Sequence, residues 1–303
     1  MRHLNPVYKI GLKQSARTKK TIVLLLVYNF LLAGLELLVF YLTFDQGGRV
    51  RESVAYSGIL TLYSVMAAME FVMILFIVPA STGGAVAGER EKQTLDILLS
   101  TKITPFHIVT GKLAASISMV ILLAISSMPT LSIVFSIGGI TFSDLFTFLL
   151  LLVVTAIYIG SFGIFFSVCC RKTTGATVCA YLAMFVVVFL LPLLLFFFEF
   201  LEAFSNRGYW NIRSVMNSIS GKRTILLLFN PLISFISILR DQAGRGITLM
   251  SSIGSEGGVM YFLSQHWFVA SMISQALASG LMVAASAWQL KPNRRKRLHH
   301  RRG

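Results

Sequence analysis

Residues 174–198 read TGATVCAYLAMFVVVFLLPLLLFFF, a run of 25 residues without a charged side chain. A helix needs about 20 mainly apolar residues to cross the hydrocarbon core of a bilayer. The whole chain of 303 residues is 55% hydrophobic and only 13% charged, whereas soluble domains carry about 25% charged residues. The sequence therefore predicts an integral membrane protein in which this run is one span.

Comparable apolar runs lie on both sides of this one. Together they predict an all-α membrane protein with six transmembrane helices, built as a single transmembrane domain over residues 1–303. Five spans are expected within residues 21–198: Thr21–Phe44, Ser57–Pro79, Ile108–Ile137, Leu145–Val168 and Thr174–Phe198. Proline lacks the backbone N–H that a helix needs, so we expect a kink at Pro129 and a second disturbance at Pro192.

The sixth span, within residues 266–290, is framed by Trp267 and Trp288. Their separation corresponds to about 32 Å along a helix, close to the ~30 Å hydrocarbon thickness. Tryptophan also favours both membrane interfaces. Within this helix Ala270, Ser274 and Ala278 repeat every four residues, which predicts a face that another helix approaches closely.

The region between the fifth and sixth spans, residues 199–265, is long and mixed in polarity. Inside it, Thr224–Leu239 is apolar but has only sixteen residues, with Asn230-Pro231 in the middle. That length is short for a span. The pattern fits either a re-entrant hairpin or an interfacial pair of short helices.

The net charge of +15 is distributed as a topology signal rather than as a nucleic-acid surface. Nineteen Lys and Arg residues fall on one side of the six spans, whereas the short loops opposite contain only Arg49 and Arg51. Positive residues mark the cytoplasmic side. We therefore expect a multi-pass protein of the cell membrane with both termini cytoplasmic, residues 199–265 external, and no nucleic-acid partner.

The two chain ends are both basic. Residues 1–20 carry Lys9, Lys13, Arg17 and Lys20 on one helical face, which fits a cytoplasmic interfacial helix on the inner leaflet or a solvated leader that only sets topology. Residues 291–303 form a basic cytoplasmic tail, for which attraction to anionic membrane lipid is the expected role.

The most informative polar stretch joins the second and third spans. Residues 88–101 read GEREKQTLDILLST, which periodicity predicts to be one amphipathic cytoplasmic helix. Its polar face would carry Glu89, Lys92, Gln93 and Asp96, with helix ion pairs from Glu89 to Lys92 and from Lys92 to Asp96. Periodicity does not explain Glu91. Joined directly to two spans, such a helix could carry movement from a soluble partner into the membrane.

This run, followed by Pro105 and Gly111-Lys112, resembles the signature of the ABC-2 family of ABC transporter permeases. The matching residues are Glu89, Glu91, Thr94, Leu95, Asp96, Leu98, Leu99, Gly111 and Lys112. Two residues depart from the family pattern, because Gln93 stands where glycine is usual and Lys102 where proline is common.

The resemblance implies a coupling helix that docks on a cytoplasmic ABC ATPase subunit. The implied coupling residues are Glu89, Arg90, Glu91, Lys92, Thr94, Leu95, Asp96, Leu98 and Leu99. It also implies a second permease copy, identical or related, and an exporter in which this chain forms the translocation path. The resemblance does not specify the substrate.

The chain itself carries no recognisable nucleotide site. A P-loop reads G-x-x-x-x-G-K-[ST], and neither Gly111-Lys112 nor Gly221-Lys222 has the first glycine or the final Ser or Thr. ATP and Mg²⁺ are therefore expected in the partner, and no enzymatic activity in this chain. Cys169, Cys170 and Cys179 have no neighbouring histidine and predict no metal site.

Two acidic residues fall inside predicted spans, Glu36 in the first and Glu70 in the second. Because a charged side chain is costly in a bilayer, each either lines the translocation path or forms a structural hydrogen bond between helices. Two other functions fit the sequence: an ion-coupled secondary transporter or channel that works without an ATPase, and a non-transporting membrane scaffold or sensor.

Overall fold

The structure, a computed structural model, describes residue 8 and residues 19–44, 52–100, 103–137, 141–207, 225–242, 262 and 266–290. The predicted interfacial helix, except for Tyr8 and its last two residues, the basic tail and much of 199–265 lie outside this part. The α-helices are α1 (Lys19–Phe44), α2 (Glu52–Gly83), α3 (Ala87–Glu91), α4 (Leu95–Ser100), α5 (Pro105–Ile137), α6 (Phe142–Cys169), α7 (Thr173–Phe185), α8 (Leu191–Arg207), α9 (Pro231–Gln242) and α10 (Trp267–Gln289).

Five helical stretches in the described chain are long and apolar enough to cross a membrane. They are Tyr63–Glu91, Pro105–Pro129, Phe142–Cys169, Thr173–Phe198 and Trp267–Gln289. They coincide with the second to sixth predicted spans, and the prediction of an all-α membrane protein is confirmed. The first predicted span coincides with α1, whose apolar part Leu25–Leu38 is shorter, so the count of six stays a prediction.

The chain divides into two compact units, the first formed by residues 1–181 and 280–303 and the second by residues 182–279. In the first unit α2 packs against α1, α5 and α6. Close approach between α2 and α6 depends on Gly163, because a Cβ there would lie 1.9 Å from Oγ1 of Thr82. Tyr8, which precedes α1, hydrogen bonds through its hydroxyl to Ser118 Oγ of α5 at 3.0 Å.

Polar side chains also join the helices of the first unit. Glu70 of α2 is only 2% exposed and accepts a hydrogen bond from the Ser127 hydroxyl of α5 at 2.8 Å. The buried Tyr28 hydroxyl of α1 bonds to the same carboxyl group. Directly after Tyr28 in α1, Asn29 donates to Ser126 Oγ at 3.0 Å. These contacts join three helices where lipid or apolar packing offers no alternative partner.

In the second unit a π-helical segment, Val186–Leu190, separates α7 from α8. The disturbance expected at Pro192 is thus a change of helix register that begins before the proline, whereas Pro129 lies within α5, which continues to Ile137. Of the apolar stretch 224–239, the described residues form a 3₁₀ helix, Ile225–Phe229, followed by α9. This is a pair of short helices that meet at Asn230-Pro231.

The predicted packing face of the last span is confirmed for Ala270 and Ser274. The Ser274 hydroxyl donates to the Leu228 carbonyl oxygen at 2.9 Å. Ala270 packs against a cluster formed by Leu227, Leu228 and Trp267. Small residues therefore let α10 lie close to the 3₁₀ helix, within the second unit.

Candidate functional site

The segment between α2 and α5 is not the single helix that periodicity predicts. It consists of α3 and α4, separated by Lys92, Gln93 and Thr94. Gln93 has a φ of 57°, in the left-handed region that favours glycine. The prediction of one continuous helix over 88–101 is wrong, because the left-handed backbone conformation of Gln93 ends the first helix.

The break is a Schellman motif, the usual hydrogen-bonded end of an α-helix. The Gln93 N–H donates to the Arg90 carbonyl oxygen at 3.1 Å, and the Thr94 N–H donates to the Glu89 carbonyl oxygen at 3.0 Å. The left-handed residue of this motif is most often glycine. The family pattern that the sequence resembles has glycine at the position of Gln93, so the structure gives that preference a physical reason.

Glu89 joins α3 to α5. Its Oε1 lies 2.8 Å from Nζ of Lys112, and its Oε2 accepts a hydrogen bond from the Thr94 hydroxyl. The ion pair expected between Glu89 and Lys92 is thus replaced by an ion pair from Glu89 to α5. Lys112, which follows Gly111 in the family signature, therefore has a defined partner. Both side chains are partly exposed, so the pair contributes mainly orientation and about 1 kcal/mol or less.

Arg90 joins α3 to the end of α6. Its guanidinium donates to the carbonyl oxygens of Val168 and Cys170, at 2.8 Å and 2.5 Å. The last carbonyls of a helix have no partner within it and carry its partial negative charge. A cation is therefore the side chain best suited to this end.

Glu91 joins α3 to the start of α7. Its carboxylate accepts from the Thr173 backbone N–H at 3.0 Å and from the Thr173 hydroxyl at 2.9 Å. The first N–H groups of a helix carry partial positive charge, which an acidic side chain complements. Periodicity could not explain Glu91 because its partner lies 82 residues further along the chain.

Ser167 fixes the start of the segment, and a separate contact joins α6 to the last span. The buried Ser167 hydroxyl of α6 accepts from the backbone N–H groups of Val86 and Ala87, both at 2.9 Å. The Cys169 thiol donates to Oε1 of Gln289 at 3.0 Å. Sequence reasoning missed Ser167 and Thr173, for which a single sequence offers no signal beyond their position at helix ends.

The apolar residues of α4 divide between an inner and an outer face. Leu95 is 2% exposed and packs with Val86, Val109 and Leu113, with Leu99 against the same cluster. Leu98 is half-buried. Ile97, which sequence reasoning did not single out, is 68% exposed, and Phe106 at the start of α5 is 52% exposed.

The outer face also carries polar residues of both charges. Its exposed members are Glu91, Lys92, Gln93, Thr94, Asp96 and Ser100. Of the residues predicted for coupling, Leu95 faces inward, Glu89 and Arg90 bind neighbouring helices, and Lys92, Thr94 and Asp96 lie on the outer face. Glu91 does both, because its exposed carboxylate binds Thr173.

The two acids of the membrane region lie in different surroundings. Glu70 is buried with Ser127 and Tyr28 as partners, whereas Glu36 is half-buried on α1. For Glu70 the contacts favour the structural alternative. In the described part of the chain no group of three or more His, Cys, Asp and Glu side chains could hold a metal ion, and all three cysteines are free thiols.

Comparison with known proteins agrees with the resemblance of residues 88–112 to the ABC-2 family. The family described as ABC-2 family transporter protein matches residues 6–287, which is almost the whole chain. A search among curated proteins gives no match.

Proposed function

Because the chain belongs to the ABC-2 family of transporter proteins, we propose that it is the permease subunit of an ATP-driven exporter. In this proposal the membrane helices form the translocation path, and a separate ABC ATPase subunit supplies the energy. ATP and Mg²⁺ bind to that partner. The chain lacks a P-loop, which supports a transport subunit rather than an enzyme.

The observation that carries the proposal is the attachment of three successive charged residues to three different helices. Glu89 binds α5, Arg90 binds the end of α6, and Glu91 binds the start of α7. A displacement of α3 and α4 therefore reaches several membrane helices through directional contacts. This arrangement suits a segment that receives force from outside the membrane.

The outer face of α4 supplies the docking surface in this proposal. Ile97 and Phe106 are exposed apolar side chains, with Lys92 and Asp96 nearby in sequence. A few well-packed apolar residues usually carry most of the binding energy of an interface, and charged residues around them set orientation. The expected partner surface is an apolar pocket with groups of both charges at its rim.

The proposal includes a second permease, identical or related, and places both termini and the coupling segment in the cytoplasm. Helix α1 carries strongly exposed apolar residues, among them Leu26, Phe30 and Leu37. Such a surface faces lipid or another membrane helix. It supports membrane lipid and a second copy as the neighbours of this helix.

A binding and activity measurement tests the proposal. The tagged chain is purified in mild detergent, and its partner is assayed for ATP hydrolysis with wild-type and Ile97→Asp chains. We expect the variant to lose about thirtyfold or more in affinity for an ATP-hydrolysing partner, equal to about 2 kcal/mol at an interface hot spot. Phe142→Asp is the matched control, since Phe142 is 75% exposed at the opposite end of α6 from Cys169.

The alternatives predict different results in the same preparation. Flux driven by a proton or sodium gradient in liposomes, with no nucleotide-binding partner, would identify an ion-coupled transporter. An ATPase partner without flux under any condition would identify a scaffold or sensor. Equal partner affinity for the Ile97 and Phe142 variants would contradict docking on α4.

A further inference from the structure

Three cysteine residues lie at the junction where α6 ends and α7 begins. Cys169 is the last residue of α6, Cys170 is its C-cap, and Cys179 lies six residues after the start of α7. All three are free thiols, of which Cys169 is exposed and the other two are half-buried. They belong to the same compact unit, so a reaction between them stays within that unit.

The thiol of Cys169 is bonded to another helix. It donates to Oε1 of Gln289 in α10 at 3.0 Å. This contact directs the Cys169 side chain toward the last span. The two remaining thiols, those of Cys170 and Cys179, are therefore the pair to consider.

The side chains of Cys170 and Cys179 contact each other. Their thiol groups are joined by a hydrogen bond, which brings the two sulfur atoms together without a charged partner between them. Burial raises the pKa of the Cys170 thiol, so this thiol keeps its proton in the resting protein. A pair of sulfur atoms in contact is the arrangement from which a disulfide can form without movement of the backbone.

The backbone on both sides of this contact is held by bonds that do not involve the thiols. The Cys170 N–H donates to the Phe166 carbonyl oxygen at 2.9 Å, and the Cys170 carbonyl oxygen accepts from Arg90. Cys179 lies within α7, whose first residue, Thr173, is bound by Glu91. The contact between the two thiols is therefore built into the junction.

We propose that Cys170 and Cys179 form a redox-sensitive pair, which a low-molecular-weight disulfide oxidises to an intramolecular disulfide that locks the junction between α6 and α7. The junction is expected on the cytoplasmic side, where thiols are kept reduced and disulfides are usually transient, with catalytic or redox-sensing roles. The resting state is thus the dithiol, and the disulfide forms under oxidising conditions.

The reaction proceeds by two thiol–disulfide exchanges. One thiol of the pair loses its proton to water, and its thiolate attacks the small disulfide. A mixed disulfide forms and one small thiolate leaves. The second thiol of the pair then loses its proton, and its thiolate attacks the mixed disulfide and displaces the second small thiolate. The pair is oxidised by two electrons, and the reagent is reduced to two thiols.

The disulfide would close the loop of residues 170–179, and this loop contains two attachment points of α3. The Cys170 carbonyl oxygen binds Arg90, and Thr173 binds Glu91. A disulfide restricts the conformations available to the loop that it closes. Oxidation would therefore fix the spacing of these two attachment points.

This proposal goes beyond the proposed function and does not depend on ATPase coupling. Its test uses the full chain in lipid nanodiscs without a partner. A failure of the thiol pair and a failure of the coupling proposal are therefore separate results.

The disulfide is detected by mass spectrometry. The reduced chain is treated with oxidised glutathione, the remaining thiols are blocked, and the protein is cleaved with trypsin. Arg171 and Lys172 separate Cys170 from Cys179, so a disulfide between them joins two tryptic peptides. We expect the joined peptides in the oxidised chain and their separation by dithiothreitol. Mixed disulfides with glutathione but no joined peptides would overturn the proposal.

The matched variants are Cys170→Ser and Cys169→Ser. Cys169 is adjacent to Cys170 in the same tryptic peptide and is more exposed, so it controls for proximity in sequence and for access of the reagent. We expect Cys170→Ser to slow the joining of the peptides at least about tenfold, and Cys169→Ser to change it less than about twofold. Joining at the wild-type rate in Cys170→Ser would assign the reaction to Cys169 and overturn the proposal.

Hydrogen exchange distinguishes a lock from a cross-link without structural consequence. We expect the backbone amides of residues 171–178 to exchange about tenfold more slowly after oxidation, because the closed loop opens less often. Cys179→Ser should show no such change, and it serves as the second variant if Cys170→Ser does not fold. Equal exchange rates in the reduced and the fully cross-linked chain would contradict the lock.

Discussion

Two short helical segments interrupt the membrane helices, and they are attached in different ways. The segment formed by α3 and α4 is held by Ser167, Lys112, Thr173 and the end of α6, through at least six separate hydrogen bonds. The segment formed by residues 225–242 is attached through Asn230, whose amide donates to the Val187 and Val188 carbonyl oxygens, and through bonds from Ser274 and Gln275 of α10 to Leu228 and Ser234. Contacts to several helices suit the proposed transmission of displacement, whereas in the second segment one side chain, Asn230, supplies both hydrogen bonds to the π-helical segment.

The largest expected loss of stability is at Asn230. Asn230→Ala removes the bonds that its amide donates to the Val187 and Val188 carbonyl oxygens and accepts from the Leu232 and Ile233 N–H groups, which should lower the free energy of unfolding by about 3 kcal/mol. Denaturant titration in detergent measures this loss. Asn29→Ala, which removes one contact between helices of the first unit, is the comparison and should cost about 1 kcal/mol. Equal losses would remove the distinction between the two regions.

The next expected loss of stability distinguishes the two faces of α4. Leu95→Ala empties a buried position and should cost about 2–3 kcal/mol of stability. Ile97→Ala changes an exposed position, so its effect on stability should stay within about 0.5 kcal/mol. The same denaturant titration compares the two variants. Comparable destabilisation by both would show that α4 does not present the outer face described above.

A single lost contact in the first segment should be tolerated. Glu91→Gln retains hydrogen-bonding capacity toward Thr173 but removes the negative charge at the start of α7, for an expected cost of about 0.5–1 kcal/mol. The measurement is Tm at low and at high salt, because the charge contribution is screened by salt. A loss as large as that of Asn230→Ala would mean that this segment depends on one contact.

The smallest expected effect is a gain in stability. Gln93→Gly relieves the left-handed conformation at the break between α3 and α4, which should stabilise the protein by about 0.5–1 kcal/mol. The variant should raise Tm, and Gln93→Ala, which keeps the Cβ, should not. A lower Tm for the glycine variant would indicate that the Gln93 side chain makes a stabilising contact of its own.

The spans could be predicted because length and hydropathy decide whether a helix enters a bilayer, and both are local properties of the sequence. The break at Gln93 could not be found in the same way. Glutamine is a good helix former, so the periodicity of residues 88–101 continues across it. The family's usual glycine at this position is typical of a helix end, but the sequence analysis drew no turn from it.

The partners of the charged residues were also beyond sequence reasoning. Arg90 and Glu91 bind the ends of α6 and α7, which lie about 80 positions further along the chain. The register change before Pro192 was foreseen only as a disturbance, because a π-helical segment has no local signature beyond the missing N–H. Its dependence on Asn230 is a tertiary contact that composition does not encode.

The three adjacent charges at 89–91 also limit how this stretch of chain can evolve. Each charge contacts a different group of opposite charge: an ammonium group, a helix carboxyl end and a helix amino end. Exchanging Arg90 with either glutamate would leave the net charge and the amino-acid inventory untouched, yet it would set an acid against bare carbonyl oxygens and a base against either a second cation or bare amide hydrogens. The order of these three charged residues, rather than their number, is therefore what the fold requires.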